Sequence, residues 1–203
     1  MRRARKLEEE PLAELPREVP PMRGTRGKVT VCGVDGGMAN LGLVLVEFEH
    51  GRRPRVYDAH VVVTENAKKT DLVMAGDDNA RRLKILSRIA HRFILASSAV
   101  CLESYSQIAV NASASAKSAM AWASIVVMAD LVDVPLMVMR PQDVRDELEI
   151  NRTAGGKRQK VSKADVEAAV RKICDVTELD AIVQGDARQH AIDATAVVLA
   201  CTK

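Results

Sequence analysis

The sequence predicts an α/β domain built on a mixed five-stranded sheet, three antiparallel strands followed by two parallel ones, flanked by helices. Two observations predict it. Three apolar runs between residues 28 and 65 are joined by connections too short for anything but hairpins. Two further apolar runs, 99–104 and 134–140, each follow a long segment of helical period, and a strand–helix–strand connection places its strands parallel.

Each element can be justified in order. Residues 1–27 mix charge blocks with four prolines and hold no apolar period, so a charged tail is expected, with a short helix near 3–14. "KVTVCGVD" (28–35) is a strand that ends on Asp35, "GGMANLG" is a turn, and "LGLVLVEFE" is a second strand. "HGRRP" breaks it and "RVYDAHVVVTE" is the third. In "DDNARRLKILSRIAHRFILA" (77–96), Leu83, Leu86, Ile89, Ala90, Phe93 and Ile94 recur at helical spacing. "AVCLES" is a short buried strand, and 109–133 is an Ala/Ser-rich helix. "VPLMVMR" is the fifth strand; "PQDVRDELE" opens on Pro141, which suits a first helical turn. "NRTAGGKRQKVSK" reads as a loop, and "SKADVEAAVRKI" as a helix opened by a Ser162–Asp165 capping box. A last helix near 187–201 is expected to open on a similar box, Asp186 with Gln189. A domain over 28–203 of this order is the ribonuclease H-like arrangement.

Composition narrows the function classes. A net charge of +3 on 30 basic and 27 acidic residues is mild, so the distribution of charge matters more than its sum. With 2% aromatic residues the chain offers few rings for stacking unpaired bases. The four cysteines form no close pair of the zinc-binding kind and sit in apolar runs, as small hydrophobes in a reducing compartment do. No apolar run reaches the ~20 residues of a membrane span. A cytoplasmic protein without membrane contact is expected.

The chemistry-bearing residues are acidic. Asp35 ends the first strand and Glu103 the fourth, and parallel neighbours would bring both to one sheet edge. His190 and Asp193 lie three apart on the last helix, hence on one face, in a stretch otherwise apolar. Carboxylates crowded together repel and are costly to bury unpaired, so a cation must compensate, either a basic side chain or a divalent metal. Hard oxygen donors with one imidazole suit Mg²⁺ or Mn²⁺ and fit zinc poorly. Paired ions of this kind serve displacement at phosphorus. Taken singly, Asp35 is a turn residue, Glu103 a strand-end charge, and His190 with Asp193 a local pair.

At these residues the sequence resembles the RuvC family of Holliday-junction resolvases. "GVDGGMANLG" resembles the family's first-strand motif, with Asp35 as its catalytic aspartate, and "VCLESYS" its fourth-strand motif, with Glu103 in the glutamate position. "RPQDVRDELE" resembles the segment after the fifth strand. "KVSKADVEAAVRKI" resembles the lysine-bearing lead into the next helix, with Lys163 at the lysine, and "HAIDATAVVLA" resembles the closing helix. Family members carry Asp or His at the position of His190. Asp35-Gly36-Gly37 departs from the usual Asp-Pro-Gly, Leu41 replaces a Thr or Ser, and Ser106 stands where an aromatic is common, with Tyr105 one residue earlier. These departures suggest a divergent, bacteriophage-type member.

The resemblance implies a metal-dependent nuclease that resolves four-way DNA junctions by symmetric nicks, leaving 5′-phosphates. Asp35, Glu103, His190 and Asp193 would be catalytic and would hold two Mg²⁺ ions, with Mn²⁺ able to substitute. Arg152, Lys157, Arg158, Lys160 and Lys163, in a stretch without acids, would follow the phosphate backbone, with Tyr105 near the junction centre. The small residues of 109–133 match the helix that forms the family's twofold dimer interface, so a homodimer on branched DNA is expected. Two alternatives are a non-cleaving branched-DNA binder of the same fold, which should lack an acid, and an actin-like ATPase, which should carry a second glycine-rich phosphate loop.

Overall fold

A computed structural model describes residues 27–67, 74–104, 112–150, 153–154, 157–158 and 161–203. The three hairpin-connected strands are β1 (Lys28–Gly36), β2 (Asn40–Glu49) and β3 (Arg55–Val63). Helix α1 (Ala75–Leu95) leads to β4 (Ala99–Glu103), and α2 (Ala112–Leu131) to β5 (Leu136–Met139). The sheet order is β3-β2-β1-β4-β5, with β1 antiparallel to β2, β2 to β3, and β4 parallel to both β1 and β5. This is the sheet the sequence predicts.

Strands buried on both faces explain the nearly unbroken apolar runs. Cys32, Val34, Leu43, Leu45, Val100 and Leu102 point to a core completed by α1 and α2. Val31, Val44, Val46 and Cys101 point the other way, to a core filled by the last helix, α6 (Arg188–Cys201). Nine of its fourteen residues are buried, which accounts for its greasy composition.

Around α6 lie α3 (Pro141–Glu147), α4 (Lys163–Ile173) and α5 (Thr177–Ile182). The Ser162–Asp165 capping box of α4 forms as expected. Arg188 ties the first turn of α6 to its neighbours. Its guanidinium grips Glu167 of α4 through two bonds, 2.7 and 3.1 Å, and Asp180 of α5 at 2.9 Å. Arg171 bridges the same two acids. The paired guanidinium groups hold the Glu167 carboxyl down to about 2.

Three details differ from expectation. Helix α6 does not open on Asp186: a 3₁₀ turn, Gly185–Ala187, runs straight into it, and its cap residue Ala187 is already helical and has no side-chain cap. Within the basic loop, Thr153–Ala154 (β6) pairs antiparallel with Lys157–Arg158 (β7). Helix α5 is too short to show an apolar period. The charged tail falls almost wholly outside the described residues. Cys32, Cys101 and Cys174 are buried as expected, and Cys201 is partly exposed.

Two glycines set how closely α6 lies on the sheet. A Cβ on Gly33 of β1 would stand 2.4 Å from the Ala194 carbonyl oxygen, and one on Gly42 of β2 would stand 2.3 Å from that of His190. Both obstacles are backbone, so the helix could only lift. Gly33→Ala is expected to cost about 1–3 kcal/mol by overpacking, roughly 2–10 °C in Tm, measured by calorimetry. A Tm unchanged within a degree would show that α6 is not seated on that position.

Candidate active site

The topology gathers the four sequence-predicted residues. Val34 of β1 pairs with Leu102 of β4, so Asp35 and Glu103 are next neighbours at the same strand ends. By alternation along the strands, Asp35 shares the face of Gly33 and Glu103 that of Cys101, the face covered by α6. Asp35 is also the register partner of Gly42, on which the backbone of His190 rests. The helix start is thereby lowered onto the carboxylates, and His190 Nδ1 lies 3.2 Å from Asp35 Oδ2. Asp193 stands one turn further along, its Oδ1 accepting a 2.8 Å bond from Gln189 Nε2.

Electrostatics register the crowding. Burial, the charges of Asp35 and Asp193 and a hydrogen bond with Asp35 push the Glu103 carboxyl up to about 8, against a lesser pull from Arg145. Burial and Asp35 also raise Asp193, opposed by Gln189, His190 and Lys163. His190 titrates above its ordinary range because it bonds Asp35, an effect that outweighs desolvation and the charge of Lys163. The cluster thus relieves its own repulsion by keeping protons, Glu103 as an acid and His190 paired to Asp35.

Three carboxylates and an imidazole are the donor set of a hard divalent cation, which would take the place of those protons. Among the described residues, no three His, Cys, Asp or Glu side chains stand close enough together to hold a metal ion. Asp35 and His190 touch, while Asp193 interacts with Asp35 through space.

Two residues at the site were not assigned to it from the sequence. Arg145 of α3 is exposed and close enough to act on Glu103; it lies within the segment "RPQDVRDELE". Gln189, expected in a capping box, instead steadies Asp193 four residues on. Lys163 is exposed at the start of α4, within electrostatic range of His190 and Asp193. Lys157 and Arg158 lie in β7; Arg152, Lys160 and Tyr105 fall outside the described residues.

The raised groups predict the pH response of the metal-free fold. Glu103 binds its proton more tightly folded than unfolded, as does His190. The stability each adds is present below its unfolded pKa and is lost as pH rises, for Glu103 between ordinary carboxylate values and about 8. In EDTA, Glu103→Gln should therefore raise Tm at pH 8 by roughly 5 °C and change it little at pH 5. Equal shifts at both pH values would mean Glu103 is not held protonated.

No family model matches the sequence, and no curated relative matches it. Solved structures do. RuvC of Thermus thermophilus in complex with Holliday junction substrate aligns at a TM-score of 0.60 and 23% identity, covering 84% of this chain and 91% of that one. Thermus thermophilus RuvC aligns at 0.58 and 25% identity, over 84% and 92%. The yeast mitochondrial Holliday junction resolvase Ydc2 aligns at 0.56 and 12% identity, over 84% and 76%. This chain therefore has the ribonuclease H-like fold shared by RuvC and the resolvase Ydc2.

Proposed function

We propose that this protein is a metal-dependent, structure-selective DNA endonuclease that resolves four-way junctions by paired, symmetric nicks. The observation that carries the reading is the convergence of Asp35, Glu103, His190 and Asp193 at one edge of a RuvC-like sheet. Asp35, Glu103, His190 and Asp193 would hold Mg²⁺, two ions per site with Mn²⁺ able to substitute, and the bound metal would supply Lewis acidity for displacement at phosphorus. Gln189 keeps Asp193 turned inward. Arg145 and Lys163 set positive charge beside the carboxylates, where a phosphodiester must approach. The products carry 5′-phosphates.

The stretch with Arg152, Lys157, Arg158, Lys160 and Lys163 grips phosphates, which position an arm without reading its bases, and Tyr105 lies near the crossover. The protein acts as a homodimer through α2. Met120, Val127 and Leu131 are exposed on that helix, and Leu131 is 76% exposed. They lie on one face with Ala116 and Ala123, small enough for a second helix to approach closely.

Synthetic four-way junctions with and without Mg²⁺ test the reading. Asp35→Asn, Glu103→Gln and Asp193→Asn should each lose roughly a hundredfold or more in single-turnover cutting while gel-shift affinity stays near wild type. A wild type that binds junctions and never cuts them would leave only the non-cleaving binder.

Replacing Lys157, Arg158 and Lys160 together by Gln should weaken binding and flatten the log–log salt slope by roughly 0.9 for each phosphate no longer neutralised. An unchanged slope would make this stretch ordinary solvated surface.

A further inference from the structure

We propose that Arg82, a buried arginine of α1, is a positioning residue for the candidate site, acting through Thr64 on the turn that follows Asp35. The inference rests on the nuclease reading above for its activity test and on the geometry alone for its origin.

Arg82 is 2% exposed, yet among the described residues its hydrogen bonds all go to one short segment beyond β3. Its Nε donates to Thr64 Oγ1 at 2.9 Å, its Nη2 to the Thr64 carbonyl at 3.3 Å, and its Nη1 to Asn66 Oδ1 at 2.6 Å. Thr64 passes the constraint on. Its hydroxyl donates to the Met38 carbonyl, and its backbone N–H donates to the Ala39 carbonyl at 2.8 Å. Met38 and Ala39 are the tip of the β1–β2 turn, closed by Gly37 N–H on the Asn40 carbonyl at 2.8 Å. That turn begins two residues after Asp35. Asn66 Oδ1 also accepts from Lys117 Nζ of α2 at 3.3 Å.

Fold stability alone does not call for this arginine. A buried guanidinium is costly to desolvate, and well-packed apolar residues in place of buried charge are often neutral or stabilising. What an apolar side chain could not do is hold two carbonyl-bearing turns in register through directed donors. Arg82 sits where α1 crosses the exit of β3, so the hydrogen-bond chain fixes the Asp35 turn against a helix that takes no part in the chemistry.

The test uses the full chain with Arg82→Met, Thr64→Val, Thr64→Ser and the Arg82→Met/Thr64→Val double variant. Single-turnover junction cutting should fall roughly ten- to a hundredfold in Arg82→Met and Thr64→Val. The Mg²⁺ needed for half-maximal rate should rise, junction affinity should stay within about twofold, and Thr64→Ser should restore cutting. If Arg82 acts through Thr64, the double variant should lose no more than the worse single variant. Hydrogen exchange of the 36–41 segment in EDTA should speed up in Arg82→Met, while core segments of β4 exchange as in wild type. Exchange of that segment unchanged from wild type, or losses of cutting that multiply in the double variant, would overturn the proposal. A wild type inactive on junctions would defeat the nuclease reading, and the exchange measurement would still decide the role of Arg82.

Discussion

The structure depends on how closely α6 can approach the sheet. Two Cβ-free positions, Gly33 and Gly42, lie under the carbonyls of Ala194 and His190, one helical turn apart. They bring a helix into backbone contact with β1 and β2 where any side chain would hold it off. The same contact builds the core, since α6 supplies more buried residues to one hydrophobic cluster than any other element, and builds the site, since it sets His190 against Asp35. Core and chemistry are consequences of one close approach.

A site assembled this way carries an electrostatic conflict that the rest of the molecule contains. Three carboxylates face one another beside an apolar helix, and the metal-free chain answers by retaining protons. The cations that could silence the cluster stay at its margin: Arg145 and Lys163 act through space, while Arg188 is fully engaged with Glu167 and Asp180. Placing the strongest ion pairs behind the helix and the loosest charges in front leaves the carboxylates available to a cation from solution.

Much of this was legible in the sequence. Apolar runs and short connections specified the sheet, and the ends of two runs pointed to Asp35 and Glu103. His190 and Asp193 stood out because polar residues in a buried helix need a partner. What stayed hidden depended on long-range pairing. Gly33 and Gly42 look like ordinary strand glycines until the helix above them is known. Arg82 and Thr64 are 18 residues apart, and nothing local couples them. Asp186 and Gln189 matched the spacing of a capping box, but the chain enters α6 through a 3₁₀ turn, and Gln189 turns to Asp193 instead. Periodicity reports which faces are apolar; it is silent on which donor reaches which acceptor.

The burial of α6 has a kinetic consequence. Nine of its residues are sealed in the core, so its amides belong with the slowest-opening part of the fold. Asp193, flanked by the buried Ile192 and Ala194, sits in that protected stretch and separates from the sheet only when the core opens. His190 stands in the first turn, ahead of the sealed residues, so the two ligand candidates of one helix belong to regions of unequal protection.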